Sequence, residues 1–142
     1  MPAIAKLDWR ELIPATEFSS ASELMKALRD ISRSTTRDNG IAALLEKQGG
    51  QTLTIIVAGD FWFLNWFPEN YHEHSTGSYH TIGISDEHLD LSQDLEVATY
   101  FLHGHHGEVP VAWAISEVEA FDGITSFLEA SSLPDKLRWA LD

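Results

Sequence analysis

Thr52-Leu-Thr-Ile-Ile-Val-Ala58, Gly59-Asp60 and Phe61-Trp-Phe-Leu-Asn-Trp-Phe67 form the continuous stretch that decides the fold. The two flanking runs are rich in β-branched and aromatic residues, which fit a pleated, packed surface. Gly59-Asp60 between them is a two-residue hairpin signal, because glycine reaches the positive φ that such turns demand. In the second run Phe61, Phe63 and Phe67 share one face while Trp62, Leu64 and Trp66 share the other. A strand apolar on both faces is central in its sheet or covered on both sides.

Working towards the N-terminus, Ser34 to Gly40 is polar and reads as a loop. Before it, Ser20-Ala-Ser-Glu23 has the spacing of a capping box, and Leu24, Leu28 and Ile31 follow at i, i+4 and i+7. A helix over about 20–32 is predicted. After the loop, Ile41, Leu44 and Leu45 predict a short helix or turn that ends at Gly49-Gly50. Residues 1–49 therefore contribute only helix to the expected fold, and Trp9 lies outside every periodic segment.

Towards the C-terminus, a loop with Pro68, Asn70 and Gly77 precedes two expected strands, Tyr79-His-Thr-Ile-Gly-Ile84 and Glu96-Val-Ala-Thr-Tyr-Phe-Leu102. Val109-Pro-Val-Ala-Trp-Ala-Ile115 then leads into Ser116-Glu-Val-Glu119, a second capping box. The helix behind it, ending near Ala130, should turn Val118, Phe121, Ile124, Phe127 and Leu128 inward. Past Leu133-Pro-Asp135, alternation of Leu137, Trp139 and Leu141 predicts a terminal strand that closes the sheet. Trp62, Trp66, Trp113 and Trp139 are expected in the core, since Trp contributes mainly by burying area. The expected architecture is α+β: a single domain over 1–142 in which a mostly antiparallel sheet packs against two main helices.

The chain has no Cys, which excludes a disulfide framework, a thiolate metal site and a cysteine nucleophile. No apolar stretch approaches the roughly 20 residues of a membrane span, and the N-terminal residues carry no signal-peptide pattern. A soluble, cytoplasmic protein is expected. The net charge of −13 is unevenly spread. Residues 1–50 balance seven Lys or Arg against seven acids, whereas residues 51–142 set Lys136 and Arg138 against fifteen acids. Between Gln48 and Asp135 there is no Lys or Arg at all. Such a field repels nucleic acid and anionic membranes and attracts basic surfaces.

Six histidines invite a metal reading: His103, His105 and His106, with His72, His74 and His80 earlier. The His-Gly-His-His run of residues 103–106, with Gly104 and Gly107, reads instead as an exposed turn between two strands, and no acid completes a recognised metal pattern. Asp86, Glu87, Asp90, Asp94 and Glu96 crowd eleven residues, yet they lack the glycine and closing Glu of a calcium loop. They fit an acidic docking surface or a solvated loop. Nucleophile elbows, phosphate-binding loops and dinucleotide fingerprints are missing, so neither catalysis nor a cofactor is expected.

One resemblance adds to this. Pro110-Val-Ala-Trp-Ala-Ile-Ser116, the helix with Ala120 and Phe127-Leu-Glu129, Leu133-Pro-Asp135 and Leu137-Arg-Trp139 together resemble immunity-protein family one of the bacterial polymorphic-toxin systems. The likeness spans about residues 50–141. Ser116 stands where that family often has Pro, and Ala130-Ser-Ser132 replaces a Gly-bearing helix end. The resemblance implies a non-catalytic protein, a monomer or weak homodimer, that binds and neutralises a cognate toxin of contact-dependent inhibition, a basic nuclease or nucleic-acid deaminase. Partner contacts are expected at Asp86, Glu87, Asp90, Asp94 and Glu96, then at Glu69 and Glu73. The competing readings are a small metal-dependent enzyme built on the His-rich loop and a homo-oligomeric scaffold joined through the aromatic hairpin.

Overall fold

In the computed structural model the expected hairpin is present, with Gly59 at φ +61° in its turn. The structure describes residues 5–8, 16–47, 52–67, 79–81, 97–102, 105–110, 113–129 and 139–141. Strands β4 (Thr52–Ala58) and β5 (Phe61–Phe67) pair antiparallel from Ala58 opposite Phe61 to Thr52 opposite Phe67. The anticipated division of β5 into two apolar faces holds for the side chains described: Trp62 and Leu64 enter one core, Phe61 and Phe63 another.

Helix α1 (Ala21–Arg33) begins at Ser20, whose Oγ accepts from the Glu23 N–H at 3.3 Å, as the capping spacing predicts. Hydroxyls finish it. Ser32, Ser34 and Thr35 donate to the carbonyls of Arg29, Ile31 and Ser32 at 2.8, 2.7 and 2.7 Å, satisfying acceptors near the helix end. Thr35 Oγ1 also accepts from the Gly59 N–H at 2.9 Å, so the helix exit holds the hairpin turn.

The segment after that exit corrects one expectation. Ile41, Leu44 and Leu45 lie in a strand, β3 (Gly40–Lys47), and not in a short helix or turn. Its partners explain why. β4 flanks one edge of β3, while β1 (Ala5–Asp8) and the second half of β7 (Val97–Leu102) flank the other. Ala42 is buried on one face and Ala43 and Leu45 on the opposite one. Pairing on both edges and burial on both faces outweigh the helix preference of Ala and Leu.

Residues before α1 also do more than expected. β1 pairs antiparallel with β2 (Thr16–Phe18) and with β3, and Leu7 and Phe18 are buried. On the far side, β5 pairs with β6 (Tyr79–Thr81), which pairs with the terminal strand β9 (Trp139–Leu141), as the C-terminal alternation predicts. The sheet runs β2-β1-β3-β4-β5-β6-β9 and is antiparallel along this path. β7 joins β3 in parallel through Gly40 opposite Tyr100 and Ile41 opposite Phe101. β8 (His105–Pro110) completes a hairpin with β7.

Helix α2 (Glu117–Glu129) opens with the second capping box in reciprocal form. Ser116 Oγ accepts from the Glu119 N–H and Glu119 Oε1 accepts from the Ser116 N–H, both at 3.1 Å. Ala120, Ile124 and Phe127 face the core, with Phe121 and Leu128 packed at its margin. Val118 is a correction: it is 70% exposed. Ala120, Gly123, Ile124 and Phe127 centre the buried stripe, and Val118 lies two residues before Ala120, off that stripe.

Two cores result, one on each face of the sheet. α1 and α2 cover the first, with Leu24, Leu28, Leu45, Leu53, Ile55, Val57, Trp62, Leu64, Ile124 and Phe127. β7 and β8 contribute Ala98 and Val109 to the second, beside Ala42, Ile56, Ala58 and Phe63. The chain changes face just before α2. Trp113 and Ala114 pack on the second core, while Ile115 enters the first and donates its N–H to the Trp62 carbonyl at 2.8 Å. The architecture is α+β, a mostly antiparallel sheet against two helices, with a hairpin on the sheet's other face.

Candidate functional site

Asp86, Glu87, Asp90, Asp94, Glu96, Glu69 and Glu73 lie outside the described residues, as do His72, His74 and His103. Of the histidine run, His105 and His106 lie in a strand and not in a turn. His105 and His106 stand inside β8, opposite Leu102 and Phe101, and His80 stands in β6 opposite Asn65. The Tyr100 ring lies over Gly107 on the partner strand: a Cβ there would lie 2.5 Å from the ring's Cζ. Among the described residues no group of three or more His, Cys, Asp or Glu could hold a metal ion.

The pairing sorts the β7–β8 side chains by face, because successive residues of a strand point to opposite sides. Ala98 opposite Val109 and Tyr100 opposite Gly107 turn inward onto the second core. Thr99 opposite Glu108 and Phe101 opposite His106 turn outward. Phe101 is 39% exposed, and its ring meets His106 edge-on with centroids 5.6 Å apart. The hairpin is tied to the loop after α1: Thr99 N–H donates to the Arg37 carbonyl at 2.9 Å, and Arg37 Nε donates to the Val97 carbonyl at 3.3 Å. An outward aromatic pair therefore sits on an anchored, two-stranded base.

The second exposed feature is the solvent side of α2, which carries Glu117, Val118, Glu119, Asp122 and Glu129. The helix itself has no Lys or Arg. Two cations reach it from elsewhere. Arg29 lies 3.9 Å from Glu117 with its guanidinium 4.8 Å from the Phe121 ring centroid. Lys47 donates from Nζ to the Phe127 carbonyl at 2.6 Å, sits 4.8 Å over the Phe127 ring, and has its pKa lowered by burial. Lys47 thereby serves a helix end that has no basic residue of its own.

Thr35 and Thr54 are the buried polar side chains among the described residues, so no described ionisable group is held in the core. What these residues offer is surface: an aromatic hairpin face and an acidic helix face. The hairpin face escapes a sequence reading, because Ala98 and Tyr100 are no more apolar than Val97 and Phe101. Only pairing with β3 decides which set turns inward. No helix among the described residues is long and apolar enough to cross a membrane. No family model matches the chain, and no curated protein matches it.

Proposed function

We propose that this chain is a non-catalytic immunity protein that binds and neutralises a basic protein toxin, as the resemblance of its C-terminal third suggests. One observation carries the reading: all thirteen excess negative charges fall in residues 51–142, and no Lys or Arg occurs between Gln48 and Asp135. A toxin that acts on nucleic acid must present a basic surface to its polyanionic substrate. An acidic inhibitor meets that surface, and its field steers association at rates that can reach about 10⁸–10⁹ M⁻¹s⁻¹. Inhibition then needs only a complementary surface of roughly 800 Å² per partner over the site or the path to it.

The test is recovery of the partner. The tagged protein is expressed in its source organism, captured at low salt and at about 0.5 M salt, and the retained proteins are identified by mass spectrometry. A stoichiometric basic protein kept at both salt concentrations, whose toxicity the chain suppresses, supports the proposal. A chain recovered alone, or carrying stoichiometric zinc instead, refutes it.

A further inference from the structure

We propose that the outer face of the β7–β8 hairpin, centred on Phe101 with His106 and Glu108 beside it, is the surface that docks on the basic partner. This rests on the binding reading above and assigns it a place. Phe101 and Val118 are the exposed large hydrophobic residues among those described, and their settings differ. Val118 stands alone between Glu117 and Glu119 on a helix. Phe101 is half of an aromatic pair with His106, on a hairpin whose inner side chains are packed and whose backbone is tied to Arg37. Rings held in place before binding lose little freedom on complex formation, and aromatic residues are enriched in the centres of interfaces.

Charge decides the occupant. A second copy would bring another −13 against this one, which opposes self-association through so small a patch. A basic protein meets the reverse situation. The hairpin lies inside the base-free span and presents Glu108 on the same face as Phe101, while Arg37 at its margin donates to the Val97 carbonyl. The surface fits a partner with an apolar recess bordered by Lys or Arg, the arrangement in which a desolvated ring supplies affinity and rim charges supply rate.

The partner recovered from the capture experiment, once identified and purified, is the probe. Phe101→Ser should weaken its binding by roughly tenfold or more. Glu108→Lys should weaken it by several-fold, mainly through slower association. Val118→Ser on α2 should bind like the parent chain. Thermal unfolding confirms that each variant folds, and hydrogen exchange asks the same question of the parent chain without substitution: amides of 97–102 and 105–110 should slow in the complex. If Phe101→Ser binds like the parent and these amides exchange unchanged, the hairpin assignment is overturned while the toxin reading stands. If the parent chain retains no partner, the toxin reading itself fails and the assignment falls with it.

Discussion

Beneath the helices, one face of the sheet meets large side chains that are almost wholly enclosed, among them Leu24, Leu28, Leu45, Leu53, Ile55, Leu64, Ile124 and Phe127. Beneath the β7–β8 hairpin, the opposite face meets, among the described residues, a smaller buried set in which Ala42, Ala58 and Ala98 take half the positions. Two thirteen-residue helices cover the first face, whereas two six-residue strands, joined to the sheet through two residues of β3, bear on the second. Hydrophobic stabilisation scales with apolar area removed from water, so among the described residues the helix-covered face contributes the larger share. The hairpin-covered face is left with residues whose outward side chains can be given to recognition.

Substitutions should separate the two faces. The largest effect is expected for Phe127→Ala, which opens a cavity in the helix-covered core and removes the ring beneath Lys47. It should lower unfolding free energy by about 3–5 kcal/mol in urea titration. An effect under about 1 kcal/mol would mean that the helices are not the main source of stability.

Next comes the joint between the faces. A Cβ at Gly40 would lie 2.7 Å from the Val57 carbonyl oxygen and 2.9 Å from the Thr99 oxygen, both backbone atoms. Gly40→Ala should therefore cost roughly 1–3 kcal/mol and loosen the hairpin. Gly107→Ala meets only the outer end of the Tyr100 ring, which can swing aside, and should cost about 1 kcal/mol or less. The reverse order would contradict the parallel β3–β7 contact. Within the second core, Val109→Ala should cost about 1.5 kcal/mol, two methyl groups' worth of burial, and should speed amide exchange in β7 and β8 more than in β4.

The smallest effect concerns Lys47. Burial lowers its pKa from the ordinary 10.5, so the folded state favours the uncharged amine relative to the unfolded chain. The group's contribution to stability rises as pH climbs from its lowered folded value towards 10.5. Lys47→Met should flatten that rise in an alkaline stability profile, and an unchanged slope would assign the effect to other groups.

The same contrast explains what was legible in the sequence. The β4–β5 hairpin and both helix starts are written in consecutive residues: the strands pair, and Ser20 and Ser116 each accept from the N–H three residues on. β3 was not legible, because Ile41-Ala-Ala-Leu-Leu45 suits a helix until β1 and β4 pair along it. β1 and β2 are four and three residues long, too short for any periodicity to register. Val118 misleads because apolarity alone does not fix the buried stripe of α2, and the histidines mislead because only the pairing with Leu102 and Phe101 places His105 and His106 in a strand. The expected contacts from Asp86 to Glu96, and Glu69 and Glu73, rest on sequence alone. The hairpin face emerges only from pairing between residues far apart in the chain.

The central claim is that the acidic half of the chain draws in a basic protein, and the association rate of the purified pair measured across a salt series tests it most directly. Between about 0.05 and 0.5 M salt the rate should fall by an order of magnitude or more, with dissociation changing far less. A rate that stays constant across the series would contradict the claim.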